Sequence, residues 1–255
     1  MKFGDPKQSF GRFGLNIRTT KAVKWLLIIN GTVFLLELLL GNTTLLIVDV
    51  IEQLGFSFNG FLLGGKLWQP ITYTFIHDPM GLSHILWNML ILWMFGSPLE
   101  GFWGAKRFVK FYLITGALAT FMILIVDLFL PANRHLSTIG ASGALYALMV
   151  AFGFNFPNSI IYLFGLFPIK GKHLVMLFIG LGFLQALTLG ASSKTSVSAH
   201  FGGMLAGFLL VTGTWRPSRV WSYMKIWIMK RRYNKLKKKL KVVDSKDGPD
   251  GGYLN

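Results

Sequence analysis

Residues 108–130 read FVKFYLITGALATFMILIVDLFL, a run of 23 residues in which only Lys110 and Asp127 are charged. About 20 consecutive apolar residues suffice for a helix to cross the hydrocarbon core of a bilayer, so this run predicts a transmembrane helix. Five other apolar runs have a similar character, and several are slightly shorter. Together they predict an all-α membrane protein with six transmembrane helices, at residues 25–41, 82–98, 108–130, 140–156, 173–190 and 198–215.

The composition of the whole chain agrees with this interpretation. Hydrophobic residues make up 53% of the 255 residues and charged residues only 14%, against roughly 25% charged in soluble proteins. A soluble domain of this length could not bury that much apolar surface. The chain has no cysteine, which excludes disulfides, thiolate metal sites and a cysteine nucleophile.

The positive charge is concentrated at the two ends of the chain. Of the net +16, residues 1–24 carry +5 and residues 216–255 carry +9, a pattern typical of cytoplasmic tails rather than of nucleic-acid binding. With the N-terminus inside, 23 Lys and Arg residues fall on the inner side of the six-helix arrangement. Only Lys66, Arg134 and Lys194 fall outside. The sequence therefore predicts that both termini are cytoplasmic.

This topology divides the chain into a basic N-terminal segment at 1–24, a membrane domain at 25–215 and a basic tail at 216–255. The stretch 45–63 is apolar but contains Asp49 and Glu52, so it is expected to lie at the interface rather than form a seventh span. In the tail, Trp221 and Trp227 lie among Lys and Arg residues, which favours an amphipathic helix on an anionic lipid surface. A solvated basic helix is the alternative.

Strongly polar residues are costly inside a bilayer, so those within the predicted spans are functional candidates. Four stand out: His84, Asn88, Ser142 and His200. They lie on spans two, four and six, which share one direction, and within roughly 10 Å of the outer helix ends at 1.5 Å per residue. His84 and Asn88, four residues apart, face the same side of their helix. We therefore expect a single polar layer in the outer half of the membrane.

The surroundings of Ser142 and His200 suit nucleophilic catalysis. Ser142 follows Gly140 where a loop turns into a helix, and the free N–H groups of a helix start can stabilise an oxyanion. Small residues let membrane helices approach closely, and here they are Gly143, Gly203 and Gly207. Such packing would bring His200 to Ser142 as the base that a serine nucleophile requires.

Other polar residues are expected to have structural roles. Glu37 and Asp127, near the outer ends of their spans, are expected to reach the interface or bond locally. His77, His135 and His173 fall in loops or at a helix edge. The chain has no H-E-x-x-H motif and no pair of intramembrane aspartates, so neither a metal, an aspartyl protease nor any cofactor is expected.

At these residues the chain resembles the rhomboid family of intramembrane serine proteases, over about residues 66–215. The motifs are His84-Ile-Leu-Trp-Asn88, Gly140-Ala-Ser142-Gly143 with Tyr146 one turn later, and Ala199-His200 followed by Gly203 and Gly207. The resemblance implies Ser142 as nucleophile and His200 as base. It also implies His84, Asn88 and the Ser142 N–H as an oxyanion hole, Tyr146 stacked on His200, and transmembrane segments cut near their outer ends as substrates. We expect a bacterial plasma membrane location.

Two departures from the family pattern lie outside the proposed dyad. Trp68-Gln69-Pro70 stands where the family often has Trp-Arg, which puts in doubt how the first outer loop is anchored. A further family histidine usually lies five residues before the position of His84, whereas His77 lies seven before it, and it is not assigned a role.

Two other functions are possible on the sequence alone. The first is a catalytically silent relative that binds membrane proteins; the presence of both Ser142 and His200 argues against it. The second is a proton relay or transporter using His84 and His200. The polar layer does not continue to the cytoplasmic side, which argues against a relay.

Overall fold

The computed structural model describes residues 18–40, 44–163, 167–188, 194–214 and 217–244. Within these ranges the chain is helical except for its loops and one short hairpin. The hairpin pairs β1 (Ile160–Leu163) with β2 (Phe167–Lys170) in antiparallel register. The helices are α1 (Lys21–Leu40), α2 (Thr44–Leu54), α3 (Gln69–Thr72), α4 (Leu82–Ile91), α5 (Ser97–Trp103), α6 (Ala105–Phe129), α7 (Ser142–Asn155), α8 (Gly171–Thr188), α9 (Lys194–Thr212) and α10 (Pro217–Asp244).

Every predicted span coincides with an apolar helix. By length and composition, three helical segments are able to cross a membrane: Lys21–Leu39, Leu82–Trp103 and Ala105–Phe129. The second comprises α4, a π-helical turn at Leu92–Gly96 and α5. The other apolar helices are shorter, at Ser142–Asn155, Gly171–Leu184 and Val197–Thr212. The prediction of a helical membrane protein is therefore confirmed.

Among the described residues between α1 and α3, no helix is long enough to form a seventh span. Helix α2 has 11 residues, which is about 16 Å at 1.5 Å per residue and falls short of a hydrocarbon core of about 30 Å. A π-helical turn at Asn59–Leu63 follows it. Neither element can cross a bilayer.

Gln69 holds the segment between α2 and α3 in place. Its side chain is fully buried, accepts the backbone N–H of Ser57 at 3.4 Å and donates to the backbone oxygen of Glu52 at 3.0 Å. Trp68 adds a bond from its indole nitrogen to the Gln53 oxygen at 2.8 Å. A neutral amide therefore anchors the loop at the position where the family often has an arginine.

Helix α7 lies at the centre of the apolar core. Residues on all sides of this helix are buried, which is expected only for a helix surrounded by protein. The buried positions on it are Gly143, Ala144, Leu145, Ala147, Leu148, Met149, Val150, Ala151 and Phe152. The start of α7, where Ser142 lies, is thus held by packing along the rest of the helix.

Residues 212–255 form a second compact unit, whose described part is chiefly α10. The expected helix is present, but its apolar residues do not share one face. Trp221 and Trp227 are more than half exposed, and so are Ile226 and Met229. At about 100° per residue, Ile226 points some 140° away from Trp221. The helix is therefore tryptophan-rich in its first half and basic in its second, rather than strongly amphipathic.

Candidate active site

The Ser142 hydroxyl and the His200 imidazole are in direct hydrogen-bond contact. Ser142 Oγ lies 2.8 Å from His200 Nε2, across 58 residues of chain. Ser142 is the first residue of α7, whereas His200 lies in the second turn of α9, because α9 begins at Lys194 rather than near residue 198. A serine that can pass its proton to an imidazole is the arrangement that nucleophilic catalysis requires.

Glycines on α9 allow this contact. A Cβ at Gly207 would lie 2.8 Å from the Cα of Ala147 on α7, and a Cβ at Gly203 would overlap the carbonyl oxygen of Gly143. A Cβ at Gly143 would in turn meet the Tyr73 hydroxyl at 2.9 Å. Side chains at Gly203 and Gly207 would push α7 and α9 apart and separate Ser142 from His200.

The Tyr146 ring lies against the His200 imidazole. Their centroids are 4.4 Å apart and the rings are tilted by 31°. Nδ1 of His200 is buried and has no hydrogen-bond partner among the described residues. Ring contact, rather than an acidic hydrogen-bond acceptor, therefore orients this imidazole. Gly182 of α8 leaves room for the Tyr146 hydroxyl, which a Cβ there would overlap.

His84 and Asn88 face the backbone just before Ser142. A Cβ at Gly140 would lie 2.8 and 2.9 Å from His84 Cε1 and Nε2 and 3.6 Å from Asn88 Nδ2. Gly140 has φ of +111°, a conformation that side-chain-bearing residues rarely adopt. Two potential donors thus converge on the turn that leads into the nucleophile candidate, and only glycine fits between them.

The turn itself is held by Tyr73 and by the segment between α2 and α3. Phe56 and Thr138 exchange backbone bonds of 2.9 and 2.7 Å, and the Gly140 N–H donates to the Tyr73 oxygen at 2.9 Å. The Tyr73 hydroxyl donates to the Gly116 oxygen on α6 at 2.8 Å. The backbone before Ser142 is therefore tied to α6 and to the loop that Gln69 anchors.

His77 also belongs to this site, which the sequence interpretation missed. It is fully buried, its Nε2 lies 3.1 Å from Asn88 Nδ2, and its ring centroid is 5.3 Å from that of His84. A turn closed by Asp78, which accepts the N–H of Met80 at 2.9 Å, accommodates the longer spacing to His84. Burial, followed by the neighbouring His84, lowers the pKa of His77 to about 4, so it is neutral at pH 7.

The expectation for the two acidic residues near the outer helix ends was wrong. Glu37 is 2% exposed and accepts the His77 backbone N–H at 3.1 and 3.2 Å, forty residues away. Asp127 is fully buried, and its carboxylate oxygens have no hydrogen-bond partner within the described ranges. Neither reaches the interface, because helix packing covers both. His135 and His173, by contrast, are exposed.

The family model for the rhomboid domain matches residues 64–217, which is more than half of the chain. The chain belongs to the rhomboid family. Rhomboid protease GluP of Bacillus subtilis (strain 168) is 29% identical over 188 residues, covering 72% of this chain and 32% of that protein. Putative rhomboid protease YdcA of the same organism is 26% identical over 196 residues, covering 76% and 88%.

Mitochondrial proteins are also among the relatives. Rhomboid protein 1 of Saccharomyces cerevisiae (strain ATCC 204508 / S288c) is 32% identical over 133 residues, covering 49% of this chain and 36% of that protein. The chain thus spans about a third of the length of GluP and of the yeast relative. Membership of the family, together with the apolar helices, makes this chain an integral membrane protein, and rhomboid proteases act on transmembrane substrates.

Proposed function

We propose that this chain is an intramembrane serine endopeptidase that cuts transmembrane segments near the outer face of the membrane. The observation that carries the proposal is the 2.8 Å contact between Ser142 Oγ and His200 Nε2. Neither residue would be needed for passive binding of membrane proteins, and their contact depends on glycines placed to let α7 and α9 meet. A catalytically silent binder is the competing function.

In the first half of the reaction, His200 takes the proton of the Ser142 hydroxyl as the oxygen attacks the substrate carbonyl. The tetrahedral intermediate then collapses, the peptide C–N bond breaks, and the imidazolium returns the proton to the leaving amine. An acyl-enzyme on Ser142 remains. Water, deprotonated by the same imidazole, then attacks this ester. As the ester C–O bond breaks, the imidazolium returns the proton to Ser142 Oγ, which releases the second product as an acid and restores the free serine. One residue pair thus serves both half-reactions.

The negative charge of the tetrahedral oxygen requires donors fixed before the substrate arrives. We assign this role to the Ser142 backbone N–H at the start of α7, with the Asn88 amide and the His84 imidazole. Both side chains line the Gly140 backbone. Donors of this kind typically contribute about 10²–10³ in rate each. Tyr146 keeps the His200 ring in place through their 4.4 Å contact.

For topology we propose six spans with both ends in the cytoplasm. The support is the distribution of 23 Lys and Arg residues on the inner side against three outside. Residues 25–215 would form the membrane domain, with basic cytoplasmic segments at 1–24 and 216–255. We place the protein in a bacterial plasma membrane. A reporter fused after Asn255 that is active only on the outer side would refute this topology.

Labelling with a fluorophosphonate probe tests the proposed chemistry without knowledge of the substrate. The purified protein in detergent should be labelled, and Ser142→Ala should abolish labelling. Ser83→Ala is the matched control, because Ser83 is an exposed serine next to His84. This variant should be labelled like the wild type. A folded wild-type protein that takes no label would favour the silent binder.

We also propose that α10 binds anionic lipid. Exposed Trp221 and Trp227 suit the headgroup region, and the Arg231 guanidinium lies 3.9 Å from the centre of the Trp227 ring. Each Lys or Arg near an anionic surface contributes about 1 kcal/mol. A peptide of residues 216–241 should bind vesicles containing phosphatidylglycerol, and binding should weaken as salt rises. Equal binding to neutral vesicles would contradict the electrostatic part.

A further inference from the structure

A carboxylate on α1 is connected to the proposed oxyanion donors. Glu37 lies near the C-terminal end of α1, outside the residues 64–217 that the family model matches. Its side chain is 2% exposed, and both oxygens lie within 3.2 Å of the His77 backbone nitrogen. A buried carboxylate is costly unless it is hydrogen-bonded. The position of the His77 backbone is therefore coupled to α1.

The contacts of His77 determine which of its ring nitrogens carries the proton. Asn88 Nδ2 can only donate, so the His77 Nε2 atom, 3.1 Å away, must accept. The proton is then on Nδ1, which lies 3.4 Å from the Phe75 backbone oxygen. Such an imidazole is neutral and holds the amide of Asn88 in one orientation. A rotated or protonated ring could not accept this bond.

Fixing the Asn88 amide has a consequence for the proposed oxyanion hole. An amide NH₂ group has two hydrogens in one plane, so the bond to His77 uses one and sets the direction of the other. The same nitrogen lies 3.6 Å from the position that a Cβ on Gly140 would occupy, and the His84 ring lies beside that position as well. His77, 5.3 Å from His84 between ring centroids, therefore contacts both donor side chains.

We propose that Glu37 is a positioning residue for the reaction: through the His77 backbone it fixes the ring that orients Asn88 and His84 beside Ser142. This inference rests on the proposed function. It makes α1 part of the catalytic apparatus, rather than only a packing helix. Preorganised donors stabilise charge without reorganisation during the reaction, and misplacement by about 1 Å can cost about 10²-fold in rate.

The kinetic test uses the full chain and three substitutions on one helix face. Glu37→Leu removes the acceptor, Glu37→Gln keeps one carbonyl oxygen, and Asn30→Leu is the control. Asn30 is also fully buried on α1, seven residues earlier, and among the described residues its amide bonds to the Leu26 oxygen of its own helix. With a model transmembrane substrate, we expect Glu37→Leu to lower kcat about tenfold or more with KM unchanged. Glu37→Gln should recover most of the rate, and Asn30→Leu should retain it.

A double variant separates positioning from general destabilisation. If Glu37 acts through Asn88 and His84, then adding Glu37→Leu to Asn88→Ala should cost clearly less rate than Glu37→Leu costs the wild type, because the part of its effect that runs through Asn88 is already lost. Losses that multiply, or an equal loss in Asn30→Leu, would overturn the proposal. A fall in kcat that is fully explained by a smaller fraction of folded protein would also overturn the proposal.

A spectroscopic measurement keeps the proposal testable even if no cleavage is found. Nitrogen-15 NMR of the labelled histidines should show His77 protonated on Nδ1 in the wild type and in Asn30→Leu. Glu37→Leu should lose this single tautomer. An unchanged His77 signal in Glu37→Leu would overturn the positioning role, whereas absent fluorophosphonate labelling of the wild type would overturn the proposed protease function instead.

Discussion

Two buried glutamates form hydrogen bonds at opposite ends of α1, and the groups that they bond differ. Glu100 on α5 accepts three donors from the start of α1: the Thr20 hydroxyl at 2.5 Å and the N–H groups of Ala22 and Val23 at 2.9 and 2.8 Å. It caps a helix N-terminus, where free N–H groups and the helix dipole favour negative charge. Glu37, at the other end of α1, instead bonds a loop that leads to Asn88 and His84.

We expect this difference to separate a structural polar cluster from a functional one. Around Glu100, donors and acceptors satisfy each other within the fold. Around Glu37 the connected groups end in side chains that face the backbone beside Ser142. A buried polar group is costly unless it is paired, and we propose that the donors at the end of this network pair with a ligand bound at Ser142.

Asn88→Ala should lower the turnover of a transmembrane substrate by about 10²–10³, because one oxyanion donor is lost. Fluorophosphonate labelling of Ser142 should persist at a reduced rate, since the Ser142–His200 pair is untouched. Turnover and labelling kinetics of the purified protein check this. A variant with wild-type turnover would mean that Asn88 only joins α4 to the His77 loop.

Gly140→Ala should reduce turnover by about 10²-fold, because the new methyl group would lie 2.8 Å from the His84 ring at a residue with φ of +111°. Gly101→Ala is the matched control, since a Cβ there meets nothing within 4 Å, and it should cut normally. Normal cleavage by Gly140→Ala would show that the turn before Ser142 can relax, and that His84 need not lie beside it.

Glu100→Gln should act on stability rather than on chemistry. An amide offers one oxygen where three donors now share two, so we expect a loss of about 1–3 kcal/mol in unfolding free energy. The kcat of the folded fraction should not change. Thermal unfolding and active-site titration together measure both quantities. A kcat that still differs from the wild type when it is calculated per active site would contradict the contrast between the two glutamates.

His77 makes stability depend on pH. Its folded pKa of about 4 is below the usual value of 6.5, so as pH falls from 6.5 towards 4 the unfolded chain binds a proton that the folded chain does not. Stability should therefore fall in this window, by about 2 kcal/mol between pH 7 and pH 5. His77→Gln should remove this contribution, whereas His135→Gln, in an exposed loop, should retain it. Equal slopes in unfolding curves of all three proteins would contradict the burial of His77.

The sequence was informative where the signal is local and less so where contacts are distant. The apolar runs predicted the helices, because each run must by itself either be buried in the protein or span the membrane. The shared depth predicted for His84, Asn88, Ser142 and His200 rested on counting residues along helices expected to run in one direction. The roles of these residues stay predictions, although the structure brings Ser142 and His200 together and lines Gly140 with His84 and Asn88.

Distant contacts explain what the sequence interpretation missed. The bond from His77 to Glu37 spans forty residues, and no spacing rule connects a loop to the end of another helix. The turn at Asp78 brings His77 back to His84, although the spacing between the two histidines is unusual for the family. Gln69 anchors the segment between α2 and α3 through backbone atoms of Ser57 and Glu52, which any sequence could offer. Finding these three required the folded chain.

The central claim is that Ser142 and His200 act as one catalytic unit. The measurement is cleavage of a model transmembrane substrate by the purified full chain in detergent, comparing the wild type with Ser142→Ala, His200→Ala, the double variant and the Ser83→Ala control. The account predicts background cleavage by both single variants, no further loss in the double variant, and normal cleavage by the control. Cleavage by Ser142→Ala at the wild-type rate would contradict it.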